Sequence, residues 1–268
     1  MTFHSQAKPE YAKSETMVWW DINSCPIPDG YDAGRVSPSI ESALKNLGYS
    51  GPITITVFGN LEYTSAYILQ RLSSTGIHVI HGLDARSILF DLLLGWQDDN
   101  PPPCSMMLIS DKVDEFSMTL CRQQQIFGGY NLLLAYTSIP KYVSFLVTSA
   151  EWLWKSLLGA DEMNSKQETR RHSVLHKCSE TDEMDNKQQT GRDSLPRFVC
   201  TSCGFLCEIV ERFTNHISRE EHAQSETMLK ISKMRDPEFE KYSTVESEAS
   251  VNDEEECVPN KKQKKGSE

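Results

Sequence analysis

The chain has 268 residues, 38% of them hydrophobic and 24% charged, with a formal net charge of −11. That length holds one average domain and something smaller. The acidic balance is shared by both halves and excludes a protein that grips nucleic acid through a general basic field.

The apolar residues concentrate in 1–159, whereas 160–268 is rich in Glu, Lys, Ser, Asp and Gln. The second part cannot bury enough apolar surface to order itself, so it is expected to be disordered outside any metal-clamped unit. No segment approaches the roughly 20 apolar residues that span a bilayer. Met1 to Glu15 is polar and predicts no secretory signal. Of the cysteines, only Cys200, Cys203 and Cys207 cluster, which predicts a reducing, intracellular compartment, cytoplasmic or nuclear.

In chain order, MVWWDI (17–22) reads as a buried strand, followed by a loop with Pro26, Pro28 and Gly30. A helix follows, with Ser37 placed to cap it, Pro38 at its first position, and Ile40, Ala43, Leu44 and Leu47 on one face before Gly48. ITITVF (53–58) is the second strand. A helix over 64–74, a strand over 77–80, a helix over 84–94 and a strand over 106–110 come next. A helix over 115–125, a strand over 131–136 and a helix near 149–158 complete the set. Such alternation predicts an α/β fold, a parallel sheet with helices on both faces.

From 159 to 196 the chain reads as a polar, disordered linker. DEMNSKQETRRHSVL (161–175) recurs as DEMDNKQQTGRDSLP (182–196) with eight identities in fifteen, which suggests a duplication. After 226 the chain reads as a disordered, charged tail ending in KKQKK (261–265), a solvated segment or a nuclear-import signal.

Ligands of an open parallel sheet bind beyond the carboxyl ends of its strands. Asp21 ends the first strand and Asp111 the fourth, with Asp114 three residues on. Carboxylates beside apolar strand ends call for compensation, and several together suit magnesium or manganese. Asp84 and Asp91 share a helical face at i, i+7 and offer further ligands. Asp84 reads equally well as the helix N-cap. Asp91 interrupts the apolar run ILF–LLL and must face something polar. If such acids cluster, Asp21→Asn relieves like-charge repulsion and is expected to leave stability unchanged or raised.

VWWDINSCPIP, ITITVFGN, the aspartates at 84–91, MMLISD and LVTSAEWLW together resemble an NYN domain, a branch of the PIN-like nuclease superfamily. They are most similar to plant proteins related to the meiosis regulator and mRNA stability factor. The resemblance covers about residues 16–158. It implies a divalent ion held by Asp21, Asp91 and Asp111, and endonucleolytic cleavage of RNA by an activated water. The family's first acid falls on Asp21, its helix acid on Asp84 or Asp91, and its last acid on Asp111 or Asp114. Ser24 stands where the family has Asn, and Lys112 where it has a metal-ligand aspartate. The alternative is a catalytically degenerate domain that binds RNA or protein.

Residues 197–225 carry Cys200-x2-Cys203-x12-His216-x5-His222, the pattern of a ββα zinc finger with two thiolates and two imidazoles. Phe198 and Phe213 supply its core, Cys207 packs rather than ligates, and 208–222 forms its helix. Glu208, Glu211, Arg212 and Asn215 make a poor base-reading face. The finger therefore points to RNA or protein partners before sequence-specific DNA.

Overall fold

The computed structural model describes residues 4–127, 129–140, 146–159 and 197–235. The duplicated segment (161–196) and the tail from 236 onward, with KKQKK, lie outside them.

β1 (Thr16–Asp21) shows how the sheet is built. Successive side chains of a strand point to opposite faces. Val18 and Trp20 accordingly enter one core, while Trp19 and Met17 enter the other. Being covered on both sides, the strand needs an almost unbroken apolar run. α1 (Val36–Asn46) leads to β2 (Ile53–Gly59), and α2 (Ala66–Ser74) to β3 (His78–His81). Both helices cover the first face, burying Val36, Ile40, Leu44, Leu69 and Leu72.

The chain then changes face. α3 (Ala85–Asp99) buries Ile88, Leu89, Leu93 and Trp96 in the second core and delivers β4 (Cys104–Ile109) to the free side of β1. α4 (Val113–Arg122) leads on to β5 (Tyr130–Tyr136) on the same face. β6 (Thr148–Leu153) and the single turn α5 (Trp154–Leu157) follow. The strand order is β6-β5-β4-β1-β2-β3, all parallel. It reverses direction between β1 and β4, which opens a crevice at their carboxyl ends.

The helix expected near 149–158 is mostly strand. Ala150 and Trp152 are buried while Thr148, Ser149, Glu151 and Leu153 are half-covered, a period of two set by pairing with β5. Ser37 does not cap α1 either. Asp32 caps a 3-10 turn at Ala33–Arg35 that runs into the helix, and the Ser37 hydroxyl donates to Glu41 at 3.1 Å.

The segment from 198 to 207, which the sequence assigns to a separate zinc finger, extends the sheet. β7 (Phe198–Cys200) pairs in parallel with β3, and β8 (Phe205–Cys207) pairs antiparallel with β7. The expected 208–222 helix is two helices, α6 (Val210–Ile217) and α7 (Glu220–Arg235). α7 therefore carries helix through 226–235, where the sequence predicts a disordered tail. EEHAQSETMLKISKMR contains no Gly or Pro and many strong helix formers.

Candidate functional sites

The crevice is built on Asp21, the last residue of β1, which is fully buried. Its Oδ1 accepts from the backbone N–H of Asn23 at 3.1 Å and of Ser24 at 3.3 Å. Its Oδ2 accepts from the hydroxyls of Ser24 at 2.8 Å and Ser110 at 3.1 Å. Four donors fill the acceptor sites of one carboxylate, so burial of this charge is compensated by protein groups alone.

Ser24 also ties Asp21 to Asp111, because its Oγ accepts from the Asp111 N–H at 3.1 Å. Ser110 Oγ in turn accepts from the Lys112 N–H at 3.1 Å. The Asp111 carboxylate turns to the segment after β5, accepting from the Thr137 N–H and hydroxyl and from the Ser138 N–H at 3.3 Å. Cys25, buried beside both acids, has its thiol pushed up to about 12, first by burial and then by the charge of Asp111. It is no nucleophile at neutral pH.

Asn23 closes the other wall, accepting from the Asn60 N–H at 2.6 Å and donating to the Asn60 carbonyl at 2.9 Å. Gly59 makes this approach possible. Its φ is +143°, and a Cβ there would collide with Asn23 Oδ1.

The other acids stand elsewhere. Asp84 caps α3, with Oδ1 accepting from the Arg86 and Ser87 N–H groups at 3.1 and 3.3 Å and Oδ2 from the Ser87 hydroxyl at 2.6 Å. Asp91 is exposed, about 10 Å further along the axis at 1.5 Å per residue. It faces water between the half-exposed Phe90 and Leu94, so the polar surroundings its flanks required are solvent. Asp114 is exposed in the first turn of α4, where the helix dipole favours a carboxylate.

Among the described residues, the aspartates 21, 84, 91, 111 and 114 bring no three carboxylates to one point. Asp21 and Asp111 meet through Ser24, and the third acid expected of a magnesium or manganese site is not with them. With the donor hydroxyls already in place around Asp21, this arrangement does not fit the three-carboxylate ion site implied by Asp21, Asp91 and Asp111. Of the two serines that decide this, Ser110 carries no sequence signal beyond its position beside the acids, and Ser24 stands out only as the residue where the family has Asn.

A second cluster does converge. One ligand atom each from Cys200, Cys203, His216 and His222 lies within 4.8 Å of the others. Cys200 Sγ and His222 Nε2 are 3.3 Å apart, close to one edge of a zinc tetrahedron. His216 Nε2 is buried without a hydrogen-bond partner, as a ligand atom awaiting a cation would be. Cys207 stands outside the cluster, with Sγ directed to the Ile209 carbonyl at 3.5 Å. The donor set fits zinc.

The family comparison concerns the first of these sites. Residues 15–143 match the family model of the NYN domain. This segment is an NYN domain. The match spans β1 through β5 and contains Asp21, Ser24, Ser110 and Asp111. A comparison of the chain with curated proteins finds no match. No helix among the described residues is long and apolar enough to cross a membrane.

Proposed function

We propose that this protein engages RNA at the crevice of its NYN domain, holding a strand there with weak turnover rather than cleaving it efficiently. The observation that carries the reading is the Asp21 carboxylate, whose lone pairs are filled by Asn23, Ser24 and Ser110. A group so occupied anchors the loops that shape the crevice, and a divalent ion must first strip two hydroxyls from it. The domain's nuclease-type family supports RNA as the partner. Lys112 supports it too, an exposed cation beside Asp111 where the family carries an acid.

Phosphate contacts alone cannot hold RNA on a protein of net charge −11. Aromatic stacking can, since it does not depend on a positive field. Tyr63 and Tyr67 are 93% and 67% exposed. They follow β2, at the same end of the sheet as Asp21 and three and seven residues from the Asn60 that bonds Asn23. Single-stranded RNA, whose bases are free to stack, is the substrate class these faces suit.

The test is retention of a labelled single strand by the full chain in EDTA. Binding persists if the protein itself provides the grip, whereas loss of all binding on chelation sinks the proposal.

A second reading, an efficient metal-dependent endoribonuclease, is favoured by one observation. Asp21 and Asp111 both stand at the carboxyl ends of the two strands flanking the switch point. A manganese-dependent cleavage assay separates the two.

A further inference from the structure

We infer that zinc held by Cys200, Cys203, His216 and His222 is a lock fastening the β7–β8 hairpin to the β3 edge of the NYN sheet, so that metal loading closes that edge. The inference is independent of what the crevice binds.

Three observations converge on it. The first is the strand pairing. Val79, Ile80 and His81 lie opposite Phe198, Val199 and Cys200, which sets a metal ligand directly against the last residue of β3. The Val79 N–H donates to the Arg197 carbonyl at 2.7 Å, and the Thr201 N–H to the His81 carbonyl at 2.9 Å. Without β7, β3 would present an open edge with unpaired backbone groups.

The second is the shared core. Phe198 and Phe213, with ring centres 5.1 Å apart, are buried with Leu69, Leu72 and Val79 of the NYN domain, as are Val210 and Ile217. Val199 packs against the opposite core. A three-residue strand with so few aromatics cannot hold a ββα unit together unaided. The unit therefore needs both the metal and the sheet.

The third is His81, fully buried beside the cluster. Its ring centre is 5.1 Å from that of His222 and 6.4 Å from that of Phe213. Its Nδ1 accepts from the Leu61 N–H at 3.0 Å, so a residue of the NYN domain proper packs against a ligand and holds the loop after β2. A zinc site in a free-standing finger has no use for such a neighbour.

The experiment is hydrogen exchange on the full chain, zinc-loaded, chelated and reloaded. Zinc that binds only the docked hairpin slows opening in proportion to its excess over Kd. At a hundredfold excess, exchange at Val79 and Thr201 is expected to slow about a hundredfold against the metal-free chain. Val18 and Met107, in the central strands, serve as the reference. Equal loss of protection there on chelation would make the metal a support of the whole sheet rather than a lock on its β3 edge, and would overturn the inference. Cys203→Ser removes an exposed ligand outside both strands and is expected to reproduce the metal-free rates. Unchanged protection of Val79 without zinc, or in a Cys203→Ser chain that no longer binds it, overturns the inference. So does a full chain that takes up no zinc.

Discussion

Asp21 shows what a strand-end carboxylate can become when serines surround it. Read from the sequence, it belongs to a cluster of like charges, and its neutralisation should do no harm. In the fold it accepts four hydrogen bonds. Asparagine at this position turns an N–H2 toward groups that are themselves donors and leaves at least one buried donor without an acceptor. Asp21→Asn is therefore expected to lower stability by about 1–3 kcal/mol in thermal unfolding. A variant as stable as the parent, or more so, would reinstate the repulsion argument. The positions of Asp21 and Asp111 were legible because acids after apolar strands stand out against their surroundings. The hydroxyls of Ser24 and Ser110 were not, because serine is at home in any loop and its partner is chosen by three-dimensional proximity. Asp91 misled for a physical reason. Its flanking leucines and phenylalanines suggest enclosure, yet Phe90 and Leu94 are themselves half-exposed, and the helix simply turns Asp91 to water.

The elements divide in the same way. Strands covered on both faces, such as VWWD and MMLI, announce themselves by unbroken apolar runs. β6 does not, since its alternation is short and runs directly into a helical turn. α3 allows a clean separation of structure from function. Because Asp84 accepts three hydrogen bonds within the first turn, Asp84→Ala is expected to cost about 1 kcal/mol of stability, the usual effect of losing an N-cap. RNA retention by that variant should match the parent, and a folded Asp84→Ala protein that no longer holds RNA would return Asp84 to the site. The turn after β2 and the start of α2 carry the opposite expectation. Replacing Tyr63 and Tyr67 with alanine touches no buried group, so unfolding should be unchanged. Affinity for single-stranded RNA, followed by a filter or fluorescence assay, should fall by about 1–3 kcal/mol for each stacked base lost. Equal affinity before and after the substitutions removes these tyrosines from the interface.

At the scale of the whole molecule, the hairpin formed by β7 and β8 returns to the sheet of the first domain. The convergence of Cys200, Cys203, His216 and His222 was readable from spacing alone, because a shared metal would fix the distance between its ligands along the chain. The pairing of β7 with β3 was not, because no periodicity in one segment names its distant partner. The result is an eight-stranded sheet whose crevice lies between β1 and β4 and whose far edge is closed by the hairpin. The net charge of −11 belongs to this scale too, since it leaves stacking and local cations such as Lys112 to do what a basic field does elsewhere. The central claim is that the crevice holds RNA while the Asp21 carboxylate is occupied by the Ser24 and Ser110 hydroxyls. The direct measurement is a time course of the full chain on labelled single-stranded RNA in manganese, magnesium and EDTA, with bound and cleaved strands counted together. The account predicts RNA bound in all three and cleavage that is slow in manganese and magnesium. Rapid cleavage in manganese, absent in EDTA and abolished in a folded Asp21→Asn protein, would contradict it.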